Sequence, residues 1–329
     1  MTLPAYTRRV FLQRGLAMVS ASATLPMFLQ RSAMAIDNPF AYREGGVGRE
    51  DRILVVVQLG GGNDGLNTVV PYGDSAYYNA RPNLAIADKD VLKFEDQRAA
   101  GTGLHPAMSE LMKLYDEGVL SIVQGVGYPN PNRSHFKSMD IWHTANPEYD
   151  GRGTGWIGRY FDNACAGEPE PEPNLCITIG DTAPLATTGS KKVSPIAFEK
   201  SELFRWAAGD MHPSLAEAYD QINRTEPDPA QVEAGSPAAF LMRTALDAQV
   251  ASEKIRSAID ADALVSYPGT RLGQSLRMIA QMIRAGLGTR VYYADMGGFD
   301  THAAHGGRHY PFLKQFADGM RVFYSDLKS

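Results

Sequence analysis

Two stretches of this chain place acidic side chains directly after runs of strand-forming residues. The first is LVVVQLGGGND, which ends at Asp64, and the second is VYYADMGGFDTH, which contains Asp300 and His302. Glycines before each aspartate let the backbone turn sharply and come close to a ligand. Ligands in open α/β sheets collect at the carboxyl ends of strands. The pattern therefore predicts that Asp64 and Asp300 lie at one rim of a sheet and hold a metal ion.

Imidazole groups follow the second aspartate. His302, His305 and His309 lie within one loop and the helix after it, and residues three or four apart share a helix face. Carboxylate and imidazole ligands together suit zinc, manganese or iron, which favours Asp300 with His302 as a metal pair. A helix cap explains Asp64 alone at least as well. A solvated helix face likewise explains His305 and His309.

A third reactive group is the stretch NRSHF, which is predicted to open a helix. The free N–H groups of a helix start favour an anion. Arg133 can hold a phosphate or sulfate through two hydrogen bonds, Ser134 can act as a nucleophile activated by a metal, and His135 can serve as a ligand or acid. The alternative is that Ser134 only caps the helix. The sequence has no G-x-S-x-G motif, which disfavours a Ser-His-Asp hydrolase.

The elements that must position these residues alternate between strands and helices. Strands are predicted at Ile53–Leu59, Val119–Val126, Leu175–Ile179 and Val291–Met296. Helices are predicted at His105–Glu117, Ser134–His143, from about Trp156, and at Ala238–Ala263, Arg271–Ala285 and Arg308–Leu327. This alternation predicts an α/β fold with a doubly wound, mostly parallel sheet and helices on both faces. A variable, partly helical insertion is predicted at about 181–265.

The first residues have the features of an export signal. A twin-arginine motif at Thr7–Gln13 precedes an apolar stretch at Gly15–Leu29 and the A-x-A cleavage site Ala33–Ala35. This order predicts a signal peptide at 1–35 that engages the Tat translocase, and a periplasmic or extracellular mature protein. The alternative is an amphipathic helix that happens to carry two arginines. No later segment reaches the roughly 20 apolar residues of a membrane span, so none is expected after cleavage.

Composition narrows the class of partner. The chain has 329 residues and a formal net charge of −5, which argues against a general nucleic-acid binder. We therefore expect small molecules or proteins as partners. The cysteines, Cys165 and Cys176, flank the Glu/Pro stretch GEPEPEPN. They could close a small loop in an oxidising compartment, or both could be unpaired.

Several of these motifs together resemble one known family. They are TRRVFLQ, LVVVQLGGGNDGLNTVVPYGDSAYY, LHPAMSELMKLYDEGVLSIVQGVGYPNPNRSHFKSMDIW and VYYADMGGFDTH. In combination they resemble the domain of unknown function 1501 family, Tat-exported bacterial proteins similar to the alkaline phosphatase and sulfatase superfamily. The resemblance runs from about Asp51 to the end of the chain, with a variable middle. It implies an alkaline phosphatase-like, doubly wound α/β core and a metal-dependent hydrolase site.

The resemblance also implies roles for individual residues. Asp64 matches the metal aspartate after the first strand, and Ser134 the nucleophile at a helix start. Asp300 and His302 match the later metal pair, with His305 as the competing histidine, and the ion would be zinc, manganese or calcium. Family members continue through an E-F-G-R motif and a D-H-G motif, whereas this chain stops at Ser329. The fold is therefore expected to be incomplete at the C-terminus and to lack a second metal pair.

Two functions follow as expectations. The first is an exported metal-dependent hydrolase of phosphate or sulfate esters, with a small anionic ester as substrate. Because two-metal phosphoryl chemistry needs ligands for both ions, activity of this chain would be impaired. The second is a non-catalytic periplasmic accessory or binding protein that retains the fold.

Overall fold

The computed structural model describes residues 52–164, 174–189, 195–199, 252, 254–259, 263–303 and 305–328. The predicted signal peptide, Cys165, and most of the predicted insertion and of the helix at 238–263 lie outside these residues. The chain divides into two compact units. The described residues at 53–122, 174–183 and from 195 onward form the sheet unit, and those at 123–164 and 184–189 belong to the smaller unit.

The sheet unit contains two sheets. The strands are β1 (Leu54–Leu59), β2 (Val69–Val70), β3 (Leu92–Lys93), β4 (Gly103–Leu104), β5 (Cys176–Ile179), β6 (Ile196–Phe198) and β7 (Val291–Met296). A parallel four-stranded sheet has the order β1-β7-β5-β6, and a small antiparallel sheet has the order β2-β4-β3. The predicted α/β class with parallel strands is therefore confirmed. Cys176 is buried inside β5, and burial raises the pKa of its thiol to about 12.

Helices of varied length connect these strands. They are α1 (Gly65–Thr68), α2 (Ser75–Ala80), α3 (Ser109–Asp116), α4 (His135–Thr144), α5 (Trp156–Ala164), α6 (Arg271–Arg284) and α7 (His305–Lys328), and residues 254–259 are also helical. Three-residue 3-10 turns lie at Asp88–Asp90, Gln97–Ala99, Pro106–Met108 and Leu185–Thr187. Of the described helices, none is both long enough and apolar enough to span a membrane.

One face of the parallel sheet carries the main core. Strand β7 lies between β1 and β5, and its Ala294 is opposite Val57 of β1 and Ile179 of β5. Every second residue of these three strands belongs to the same hydrophobic cluster. Helices α3, α6 and α7 cover this face with the apolar residues Leu111, Leu114, Leu276, Ile279, Leu313 and Phe323. Burying each such side chain contributes about 1.5–3 kcal/mol. Helices on both faces of the sheet remain a prediction.

Gln58, which interrupts the apolar run of β1, has partners on β7. Its Nε2 donates to Asp295 Oδ1 at 2.8 Å, and the hydroxyl of Tyr293 donates to its Oε1. Gln58 lies directly opposite Asp295 in the register. The polar side chain therefore joins the two strands on the face opposite to the main core.

The prediction of a strand at Val119–Val126 is wrong. These residues form no strand, and Val119, Val123 and Val126 are exposed. Leu120 and Ile122 instead pack partly against the main core. Gly125 has a φ of 68°, a left-handed conformation that interrupts extended pairing. The apolar composition of the run reflects partial packing of a loop.

A buried ionic contact holds the end of α7. Asp326 is 1 % exposed and accepts a hydrogen bond from the hydroxyl of Tyr267 at 2.7 Å, while Arg284 Nη1 lies 2.5 Å from its other oxygen. A carboxylate near the C-terminus of a helix is electrostatically unfavourable without such partners. The contact therefore joins α7 to α6 and to the segment before α6.

We expect Asp326→Asn to lower the free energy of unfolding by about 2–4 kcal/mol, because Arg284 loses its charged partner in a mostly buried position. Asp318→Asn is the matched control in the same helix. Asp318 pairs with Lys314 at 2.9 Å on the surface, so its loss should cost under about 0.5 kcal/mol. Urea unfolding measures both, and equal losses would contradict a dominant role for the buried contact.

Candidate functional site

The loops that follow β1 and β7 lie together at one rim of the parallel sheet. Gly60 N donates to the carbonyl of Met296 at 3.0 Å, and Phe299 N donates to the carbonyl of Gly60 at 3.2 Å. Gly61, with a φ of 96°, packs so closely that an added Cβ would lie 2.9 Å from the backbone nitrogen of Asp300. The chain thus brings the loop of Asp64 beside that of Asp300.

Asp64 has two structural roles at this rim. Its Oδ1 accepts from Asn67 N at 3.3 Å and caps α1. Its Oδ2 lies 2.6 Å from Arg81 Nη1 and 3.1 Å from His305 Nε2. Burial raises the pKa of the Asp64 carboxyl, but the hydrogen bond and the charge of Arg81 outweigh burial and hold the pKa below its ordinary value. Asp64 is therefore an ionised cap within a mostly buried cluster.

His305 is oriented by the loop that precedes it. Its Nδ1 lies 2.7 Å from Thr301 Oγ1, which fixes the ring at the start of α7. Its Nε2 is only 3.1 Å from Asp64 Oδ2, yet this nitrogen has no well-aligned hydrogen-bond partner. The imidazole and the carboxylate are thus close without a directed hydrogen bond between them.

His309 is buried, so the surface-helix explanation of this residue is wrong. It is 2 % exposed, and its ring stacks on that of His305 with centroids 4.6 Å apart. Its Nε2 lies 2.8 Å from Asn63 Oδ1, whose amide in turn donates to Thr68 Oγ1 at 2.9 Å. His309 therefore connects the loop after β1 to α7. Its Nδ1 has no hydrogen-bond partner among the described residues.

His105 packs against His309 and is the third histidine ring of this group, after His305 and His309. Its ring meets that of His309 edge-on, with centroids 5.6 Å apart, and its Nδ1 accepts from Ala107 N at 3.1 Å. His105 therefore caps a 3-10 turn, and the helix predicted from His105 begins only after that turn, at Ser109. Burial, with the other histidines nearby, lowers the pKa of His105 to about 4, and burial likewise lowers the pKa of His309 to about 4. Both rings are neutral at neutral pH.

Asp300 and His302 form a separate, exposed pair. His302 Nε2 lies 2.8 Å from Asp300 Oδ1, with side chains 81 % and 42 % exposed, respectively. His302 has a φ of 41° and precedes the helix, which begins at His305. The prediction that His302, His305 and His309 share one helix face is therefore wrong, because only His305 and His309 belong to α7.

The Asp64–His305 and Asp300–His302 pairs each offer two possible ligands for a metal ion, but not a complete ligand set. Among the described residues, no three His, Cys, Asp or Glu side chains are arranged to hold one ion. The 3.1 Å between Asp64 Oδ2 and His305 Nε2 is close to the ~3.3 Å that separates two tetrahedral ligands each about 2.0–2.1 Å from zinc. Thr301 holds the other ring nitrogen, as partners of metal-bound histidines do. Arg81 occupies the same carboxylate oxygen and competes with any cation there.

Arg133, Ser134 and His135 lie in the smaller unit, where all three are exposed. Ser134 caps α4, since its Oγ accepts from Lys137 N at 3.4 Å, and its own N donates to Asn132 Oδ1 at 2.8 Å. The capping explanation of Ser134 therefore holds. The catalytic roles of these three residues remain predictions.

Sequence reasoning missed Arg81. It lies 17 residues beyond Asp64, directly after α2, and no spacing rule joins an arginine in a loop to a distant helix cap. The run of polar residues in NDGLNT did signal local hydrogen bonding. It could not indicate which side chain would neutralise Asp64.

No family model, no curated protein and no solved structure matches this chain.

The close approach of the two loops predicts a sharp difference between two glycines. We expect Gly61→Ala to lower the free energy of unfolding by about 1–3 kcal/mol, because its positive φ and the nearby Asp300 backbone both oppose a Cβ. Gly65→Ala is the control: nothing lies within 4 Å of its added Cβ, so stability should stay level or rise by up to about 1 kcal/mol. Thermal or urea unfolding measures the stability of both variants. A Gly61→Ala variant as stable as the wild type would contradict the close packing of the two loops.

The buried histidines predict a loss of stability in mild acid. Their pKa values lie near 4 in the folded chain, against an ordinary value of 6.5. Between these pH values the unfolded chain binds protons that the folded chain does not, so the free energy of unfolding falls as pH decreases. From about pH 7 to about pH 5, each histidine should contribute a loss on the order of 1–2 kcal/mol.

Urea unfolding of metal-free protein at the two pH values measures this loss. His309→Gln should show a smaller pH dependence than the wild type. His302→Gln, at an exposed position, should leave the pH dependence unchanged. An identical slope in the wild type and His309→Gln would rule out a depressed pKa at His309.

Proposed function

We propose that this chain is an exported metal-dependent hydrolase of phosphate or sulfate esters. The observation that carries the proposal is the Asp64–His305 contact, in which a carboxylate and an imidazole approach to 3.1 Å without a directed hydrogen bond. The exposed Asp300–His302 pair belongs to the adjoining loop. Export rests on the twin-arginine motif, and the finer fold assignment, an alkaline phosphatase-like doubly wound core, rests on the family resemblance.

In this proposal Asp64 and His305 hold a divalent ion. Asp300 and His302, the metal pair that the resemblance implies, form a separate pair on the adjoining loop and complete no set of three ligands with them among the described residues. When bound, such an ion would polarise the ester and stabilise developing negative charge. A mixed oxygen and nitrogen ligand set favours zinc or manganese, since calcium prefers oxygen ligands alone. Thr301 keeps the His305 ring in place from its other nitrogen.

The reaction groups come from the resemblance to the domain of unknown function 1501 family. Ser134 would be the nucleophile, with Arg133 binding the anion and His135 acting as acid or ligand. Their position at the start of a ten-residue helix favours an anion. Small anionic esters are the corresponding substrates.

A second candidate function is a non-catalytic periplasmic binding protein that retains the fold. It is favoured by the contact of Asp64 with Arg81 at 2.6 Å. This contact neutralises the carboxylate without any metal ion. The two functions differ in whether Asp64 is needed to bind a metal.

The test compares Asp64→Asn with Asp74→Asn in the full chain. Asparagine also caps helices well, so Asp64→Asn should fold and yet bind zinc or manganese at least about tenfold more weakly, because the charged ligand is lost. Asp74 caps α2 in the same way, through Ala76 N at 2.8 Å, and its variant should bind metal like the wild type. Metal content of the purified protein and calorimetric titration give the readout.

Turnover of aryl phosphates and aryl sulfates with added zinc, manganese or calcium completes the experiment. Hydrolysis that falls with metal content in Asp64→Asn supports the enzyme. Unchanged metal content in Asp64→Asn would contradict the assignment of Asp64 as a metal ligand. Wild-type protein that binds metal through Asp64 but turns over no ester favours the binding protein.

A further inference from the structure

The first six residues of α7 have a sequence that disfavours a helix. Residues 305–310, named the strap below, read HGGRHY, and Pro311 follows inside the helix. Glycine and proline are the two weakest helix formers. Pro311 has no N–H, so the carbonyl of Gly307 lacks the donor that a helix normally provides four residues later. The helical form of the strap therefore does not come from its own propensity.

The strap also has little packing on its outer side. Four of its six residues are exposed, and a Cβ added at Gly306 or Gly307 would meet nothing within 4 Å. Beyond Pro311 the helix is different, because Leu313 and Ala317 are fully buried in the main core. The change from weak to strong packing thus coincides with the proline.

Two histidines hold the strap against the loops at the rim of the sheet. His309 is 2 % exposed, and its Nε2 lies 2.8 Å from Asn63 Oδ1. His305 Nδ1 lies 2.7 Å from Thr301 Oγ1, and the two imidazole rings stack on each other. The strap is therefore kept in place by contacts with neighbouring loops.

Polar groups lie under the strap. The ring of His105 contacts the rings of His309 and Tyr310, with centroids 5.6 Å apart in both cases, and His105 is 4 % exposed. Asp64 Oδ2 lies 3.1 Å from His305 Nε2. Loss of the strap would expose this imidazole and this carboxylate at the rim of the sheet, where ligands of α/β folds collect.

We propose that the strap unwinds up to Pro311 while the rest of the fold stays intact, and that this opening exposes Asn63, Asp64 and His105 to solvent and ligands. Segments with few buried contacts are those that open locally. The strap is helical only in the closed form, so substitutions that strengthen its helix should reduce the open fraction. The inference goes beyond the proposed function and needs no metal ion at Asp64.

Carbethoxylation of histidines in the full chain at pH 7, measured as initial rates by mass spectrometry, reports the opening. His105 should react only when the strap is open, whereas His302 is 81 % exposed and should react in both forms. The ratio of the two rates therefore follows the open fraction. Alkylation of the buried Cys176 reports global unfolding. In the wild type we expect His105 to be modified while Cys176 stays unmodified.

Strengthening the strap helix should slow the modification of His105. The double variant Gly306→Ala with Gly307→Ala should lower the His105 rate at least about fivefold, because glycine destabilises a helix relative to alanine. Pro311→Ala should lower this rate about tenfold or more, since the missing N–H is restored. Gly65→Ala is the matched control: it also adds a Cβ in open space, but in α1, so the His105 rate should not change.

Weakening the closed form is the opposite test. Asn63→Ala removes the partner of His309 and should raise the His105 rate about fivefold, while unfolding curves show that the variant is folded. Equal His105 rates in the wild type and the double glycine variant would overturn the opening, as would modification of Cys176 at the same rate as His105. These readouts need no metal, so metal content in Asp64→Asn tests the proposed function separately.

Discussion

The parallel pairing of β1 with β7 is the constraint on which the rest of the structure depends. It joins residues more than two hundred positions apart, and its register sets Leu59 opposite Met296. Because parallel strands end at the same side of a sheet, the loops that follow must leave from one rim. The bond from Gly60 to Met296 continues the pairing by one step. Every contact between the Asp64 loop and the start of α7 follows from this register.

Neutralising Asp64 is the second requirement, and it follows from burial. A carboxylate with a side chain only 14 % exposed must have positive or hydrogen-bonding partners to remain ionised. The cap on α1 satisfies one oxygen, and Arg81 with His305 approaches the other. Burial lowers the pKa of His105 and of His309 to about 4, so these two rings carry no charge at neutral pH, and Arg81 is the permanent positive charge that contacts Asp64.

Periodicity and glycine punctuation predicted much of this fold from sequence. Strand β7 has the predicted bounds, Val291–Met296, and α6 and α4 agree to within a residue or so, because their apolar positions repeat at the helical period. The same reasoning failed at Val119–Val126, where an apolar loop has the composition of a strand. Spacing also could not tell that α7 begins at His305, which separates His302 from the buried histidines. The Arg81 contact depends on tertiary placement, which no local pattern encodes.

The difference between an enzyme and a binding protein in this fold reduces to the occupant of one carboxylate oxygen. If Arg81 holds Asp64 permanently, the rim is a rigid, neutral joint between β1 and α7, and the histidine stack serves packing. The proposed function requires instead that a divalent ion take the place of Arg81, with Asp64 and His305 as its ligands. Arg81 Nη1 lies closer to Asp64 Oδ2, at 2.6 Å, than His305 Nε2 does, at 3.1 Å, so any metal ion on this oxygen would compete with the guanidinium.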